Sequence, residues 1–137
     1  MGRIICLDIG EKRIGIAVSD PLFITAQGLE TYNRSEEEKD IAYIAGKMAS
    51  VGADRLLLGL PLNMNGTAGP QAEKVMAFAK TLEEKTGVKA EFQDERLTTR
   101  AAEQILLQAD LSRAKRKKVI DKMAAVQILQ SYLDSHG

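Results

Sequence analysis

A three-layer α/β domain, built on a five-stranded mixed sheet in the order 3-2-1-4-5, is the fold class predicted by this sequence of 137 residues. Three observations lead to it. Two short apolar runs, 3–8 and 14–18, flank the turn residues Gly10-Glu11-Lys12-Arg13, which reads as a pair of buried strands joined as an antiparallel hairpin. Two later runs, Leu56–Leu60 and Val88–Gln93, each follow a helical pattern, as strands reached by crossovers do. Right-handed crossovers then bring the fourth strand beside the first and the fifth beside the fourth.

Each element follows in order. The spacing predicts a third strand over 23–32. Ser35-x-x-Glu38 is a capping-box pattern, opening a helix to about Ser50 with Ile41, Ile44, Ala45 and Met48 on one face. Gly52 ends that helix, and Pro61 stops the fourth strand. After the loop PLNMNGTAGP, a second helix over 70–86 presents Val75, Phe78, Ala79 and Leu82, with Gly87 as its stop. Two more helices, 98–109 and 116–134, complete a single domain covering 1–137, a size at which one hydrophobic core is expected.

Composition narrows the functional classes. An apolar content of 45% with 28% charged residues is that of a water-soluble globular domain. No apolar stretch approaches the ~20 residues of a membrane span, and MGRIICLDIG lacks the plan of a signal peptide, so no membrane partner is expected. A single cysteine, Cys6, cannot form an internal disulfide, fits a reducing cytosol and reads as a small core residue. The net charge is zero but unevenly spread: Arg113, Lys115, Arg116, Lys117, Lys118 and Lys122 crowd into residues 112–122 against one acid, Asp121. Such a run binds phosphates even on a neutral protein, because screening confines electrostatics to about 10 Å; it also suits a solvated helix face.

Carboxylates mark the chemistry. Asp8 closes the first apolar run, where an ionised acid needs a partner, a titration shift or a cation. The fifth strand ends in Asp94-Glu95-Arg96. In the last helix Asp121 shares a face with Ala124, Ala125 and Ile128. The predicted topology brings the ends of strands 1, 4 and 5 to one edge, the usual place for a site in an open α/β sheet. Acids crowded there would repel one another, and a hard divalent cation, Mg²⁺ or Mn²⁺, relieves the conflict. Two such ions are the usual device for in-line displacement at a phosphodiester. Each acid also has a plainer use: Asp8 as a turn cap, Asp94 or Glu95 beside Arg96 or a helix N-terminus, Asp121 against Lys117 or Lys118. No competing metal or nucleotide motif is present, and the sole histidine, His136, stands near the chain end.

Four blocks, LDIGEKRIGIAVSD, GLPLNMNGT, DERLTT and KVIDKMAAVQIL, resemble in order and spacing the YqgF/RuvX family of the RNase H-like, RuvC-type superfamily. The resemblance covers essentially the whole chain. It implies an RNase H-like fold, a cytoplasmic location and a divalent-metal nuclease, a hydrolase of phosphodiesters. Family members are described as Holliday junction resolvases and as nucleases maturing the 5′ end of pre-16S rRNA in ribosome biogenesis. By motif, Asp8, Glu95 and Asp121 carry over as catalytic and metal-binding acids, with Asp94 as the rival to Glu95. RuvC resolvases place an acid at the end of strand 4, where this chain has Gly59-Leu60-Pro61, so their metal geometry does not transfer unaltered. The reading expects two Mg²⁺ or Mn²⁺ ions. It expects nucleic-acid contacts from Arg96, Asn63, Asn65, Gly66, Arg113, Lys115, Arg116, Lys117 and Lys118. Pre-rRNA is the favoured partner, within pre-ribosomal particles, with branched DNA or a purely binding role as alternatives and a monomer or homodimer as the acting form.

Overall fold

A computed structural model describes residues 2–62, 65–94 and 113–136, with side chains throughout except those of 113–122, 135 and 136. Five strands form one sheet: β1 (Arg3–Ile9), β2 (Arg13–Ser19), β3 (Ala26–Asn33), β4 (Ala53–Leu60) and β5 (Ala90–Asp94). Their order is β3-β2-β1-β4-β5, as the sequence predicts. β1–β2 and β2–β3 pair antiparallel, whereas β4 and β5 run parallel to β1. The helices among the described residues are α1 (Glu37–Val51), α2 (Pro70–Thr86) and α3 (Arg113–His136). The predicted helix over 98–109 lies outside the described residues.

Alternation along β1 builds two cores. Ile5, Leu7 and Ile9 face α1 and α2, joining Ile41, Ile44, Val75, Phe78 and Leu82. Ile4 and Cys6 face the other way, with Leu57 against Ala125, Ile128, Leu129 and Tyr132 of α3. A strand buried on both faces has no polar side to show, which explains its unbroken apolar run. Cys6 is fully buried, as expected.

Several boundaries differ from expectation, with β4 beginning at Ala53 rather than Leu56 and β5 at Ala90 rather than Val88. β3 begins at Ala26 rather than residue 23, because the Asp20 carboxylate accepts hydrogen bonds from the Ile24 and Thr25 amides, each at 2.8 Å. That turn puts Phe23 at φ 58°, a left-handed conformation no strand residue adopts. The capping box does not form: Glu36 is the N-cap, without a side-chain bond, and the Ser35 amide donates instead to Asp40 at 2.9 Å. The last helix already includes Arg113–Lys115, ahead of the expected start at 116, and Arg, Ala and Lys are good helix formers. Stops are as predicted, with Gly52 and Gly87 in left-handed caps at φ 70° and 73°.

Candidate active site

The β1–β2 turn is tight. The Gly10 amide donates to the Arg13 carbonyl at 2.8 Å, and a Cβ on Gly10 would lie 2.8 Å from that same oxygen, so no larger residue fits. Asp8 stands two residues before this turn, half-buried, on the strand face shared with Ile4 and Cys6 and therefore turned toward the α3 layer. Its pairing partner on β2 is Gly15. On β4, one step beyond the Leu7–Leu58 pair, comes Gly59, which pairs with Gln93 of β5. A row across the sheet thus reads Thr31, Gly15, Asp8, Gly59, Gln93. The acid is flanked on both sides by residues without side chains, as suits a strand position approached closely by a ligand or another backbone. The two glycines were visible in the sequence as interruptions of IGIAV and LLLGL, but only strand register shows that they bracket Asp8.

Alternation separates the acids of the fifth strand. Glu91 and Gln93 meet α3, through Tyr132 and Ser131 respectively. Asp94, exposed at the last position of β5, falls on the opposite face, that of α1 and α2. It therefore does not share a sheet face with Asp8. Glu95 and Arg96 lie outside the described residues, as does Asn63.

Helix α3 runs against the direction of β1. Tyr132 bonds to Arg55 and Glu91, near the starts of β4 and β5. From Tyr132 back to Asp121 the helix rises about 16 Å, and from the level of Arg55 forward to that of Asp8 the sheet advances about 13 Å. The backbone of Asp121 is thereby carried toward the edge where Asp8 stands, in the helical stripe of Ala124, Ala125 and Ile128. The basic positions Arg113, Lys115, Arg116, Lys117 and Lys118 form the first turns of the same helix.

The loop after β4 opens at this edge too. There the Asn65 side-chain oxygen accepts bonds from the Thr67 amide and hydroxyl, at 3.1 and 2.6 Å, and Gly66 takes φ 84°. Asn65 thus shapes the loop through its oxygen. A groove of about 610 Å³ lies on the other face of the sheet, between the hairpin and the first turns of α1 and α2, lined by Ile9, Glu11, Arg34, Gln71, Lys74 and Phe78.

As a donor set, Asp8 with the expected Glu95 and Asp121 offers carboxylate oxygens alone, which fit a hard divalent cation, and Gly15 and Gly59 add no side chains of their own in the same row of the sheet. Among the described residues no three His, Cys, Asp or Glu side chains gather as a metal cluster; the side chains of Glu95 and Asp121 are not among them.

The 3-2-1-4-5 mixed sheet crossed by a last helix, with a half-buried acid at the C-terminal end of the first strand, is an RNase H-like fold. The solved structures it resembles agree. It superimposes on T. thermophilus RuvC in complex with Holliday junction substrate with a TM-score of 0.62 and 13% identity, over 98% of this chain and 95% of that one. The fowlpox virus resolvase bound to Holliday junction DNA gives 0.62 and 15%, over 98% of each chain. The chain belongs to the RuvX (YqgF) family: the family model described as "RuvX: Holliday junction resolvase" matches residues 2–135. Relatives named "Putative pre-16S rRNA nuclease" include one from Desulforamulus reducens, 56% identical over 133 residues and 97% of each chain, and one from Clostridium beijerinckii, 56% identical over 132 residues and 96% of each. Among the described residues no helix is long and apolar enough to cross a membrane.

Proposed function

We propose that the chain is a divalent-metal-dependent nuclease that hydrolyses phosphodiesters in structured nucleic acid, with the 5′ end of pre-16S rRNA as its substrate. The observation that carries the reading is Asp8, an acid on the α3 face of the sheet edge between two glycines. Its family and the name shared by relatives at 51–56% identity support a nuclease and favour RNA. Mg²⁺ or Mn²⁺, when bound, supplies charge to activate water and to stabilise the leaving 3′-oxygen. Asp8, Glu95 and Asp121 would hold the two ions. Glu95 is preferred to Asp94 because Asp94 is turned to the other face of the sheet.

The opening of α3 supports nucleic-acid binding. Its first turn contains no acid and its first six residues hold five cations. Five cations within six successive helical positions repel one another and are well matched to a polyanionic phosphate backbone. Arg96 and the loop residues Asn63, Asn65 and Gly66 would meet flanking sugars or phosphates. Aromatic residues make up only 4% of the chain, too few for base stacking to dominate recognition.

Asp8→Asn tests the reading. The variant should fold and bind RNA as the parent does, yet lose Mg²⁺- and Mn²⁺-dependent cleavage of a pre-16S RNA fragment. Retained cleavage by the purified variant would remove Asp8 from the site. A parallel assay on a four-way DNA junction addresses the resolvase reading, which the family description favours. Paired symmetric cuts by a dimer there, without RNA trimming, would replace the rRNA assignment.

A further inference from the structure

Asp40 is the one charged side chain among the described residues to be wholly enclosed, and nothing in the proposed chemistry uses it. Its carboxylate accepts three bonds: from the Tyr32 hydroxyl at 2.9 Å, the Arg34 Nε at 3.0 Å and the Ser35 amide at 2.9 Å. Arg34 itself is mostly buried, its guanidinium 5.4 Å from the centre of the Phe78 ring. A buried ion pair gains little over apolar side chains of the same volume, so stability alone does not account for it. Its geometry suggests another use. Held by Asp40 through Nε and lying over Phe78, Arg34 directs Nη1 to the Gly10 carbonyl at 2.8 Å. The Arg34 amide donates to the Lys12 carbonyl, also at 2.8 Å. One residue at the β3–α1 corner therefore grips the β1–β2 turn at two carbonyls, Gly10 and Lys12.

We propose that Arg34, oriented by Asp40, is a positioning residue for Asp8. The inference rests on the metal-dependent reading above. Asp8 lies at the end of β1, where pairing with β4 finishes at Leu7–Leu58 while pairing with β2 runs on through Asp8–Gly15 and Ile9–Ile14 into the turn, so the turn's geometry is carried directly to the strand end. Fixing the Gly10 carbonyl from the opposite sheet face sets the height and pitch of the strand end. It sets them without placing any side chain in the cleft. An apolar pair could fill the same volume but could not hold a carbonyl. Lysine at 34 keeps the charge near Asp40 but lacks the planar fork that bonds Asp40 and Gly10 together.

The experiment is calorimetric titration of Mn²⁺ into wild-type protein, Arg34→Lys, Tyr32→Phe and the control Ile44→Val, which loosens the same core without touching the turn. Arg34→Lys is expected to raise the Mn²⁺ dissociation constant about 10-fold, the scale of a lost outer-shell partner. The half-activating Mn²⁺ concentration should rise in parallel. Tyr32→Phe, which removes one bond to Asp40 and keeps the volume, should give a smaller rise of the same sign, and it decides the matter if Arg34→Lys does not fold. Ile44→Val should leave the constant unchanged. Wild-type affinity in the Arg34 and Tyr32 variants, or an equal rise in the control, overturns the positioning role alone. Wild-type protein that takes up no Mn²⁺ overturns the proposed function, and this inference with it.

Discussion

Asp40 keeps its charge out of contact with water because three donors replace the solvent it loses. Burial pushes its carboxyl pKa up, but the Ser35 amide, the Arg34 guanidinium and the Tyr32 hydroxyl outweigh that and hold it below the ordinary 3.8. Burial, together with the same contact to Asp40, raises the Tyr32 phenol. With the native pKa depressed, the unfolded chain takes up the proton first as acid is added. The stability this carboxylate contributes is therefore complete above its ordinary pKa and is lost as pH falls through the native value. Replacing Asp40 by Asn should cost about 3 kcal/mol at neutral pH. It should also flatten the acid limb of the stability profile; urea denaturation at neutral pH and near pH 3 measures both. Nothing in the sequence separated Asp40 from the acids Glu36, Glu37 and Glu38 beside it. The sequence shows four acids at the start of a helix, and only the fold decides which one is enclosed.

Helix α3 is held by polar contacts at both margins of the sheet. Gln130 accepts a bond from the Ala26 amide at 3.0 Å and donates to the Ile24 carbonyl at 3.2 Å, on the β3 side. One and two residues on, Ser131 meets Gln93 at 3.3 Å, and the Tyr132 hydroxyl donates to Glu91 at 2.9 Å on the β5 side. Small residues such as Ala124 and Ala125 let a helix lie close to a sheet but resist rotation weakly, whereas bonds on opposite flanks fix its azimuth. Burial and the Glu91 carboxylate both raise the Tyr132 phenol, consistent with a hydroxyl that stays protonated and donating. Tyr132→Phe should destabilise the protein by about 1 kcal/mol, less than a fully buried bond to a charged group because Glu91 is partly exposed. Thermal melts would show this as a modest fall in Tm, and an unchanged Tm would mean that apolar packing alone sets the helix. The periodicity of this helix was legible in the sequence. Its polar latches were not, since Gln130 and Tyr132 find partners more than 40 residues away.

For the whole molecule the decisive quantity is where charge sits, because its sum is zero. The cations of α3 stand at the end of the helix that approaches the Asp8 edge, so a bound polyanion would cross the sheet edge rather than its flat faces. Replacing Lys115, Arg116 and Lys117 together by Ala should weaken RNA binding and reduce the salt slope, d log K/d log[salt], by about 2 in magnitude. Fluorescence anisotropy across a series of salt concentrations tests it, and an unaltered slope would return the run to ordinary solvated surface.

Strand order, helix stops and the two apolar faces of β1 were legible in the sequence because each depends on local periodicity, turn residues or the handedness of crossovers, which the chain carries within short windows. So was the acidic character of the first strand end, since a charge closing a buried run is anomalous wherever it occurs. What the tertiary structure alone decided is lateral: that Asp8 lies between Gly15 and Gly59, that Asp94 turns to the far face, and that Arg34 reaches the turn beyond Asp8. These are relations between segments distant in sequence, set by register and packing, and no single window of residues contains them.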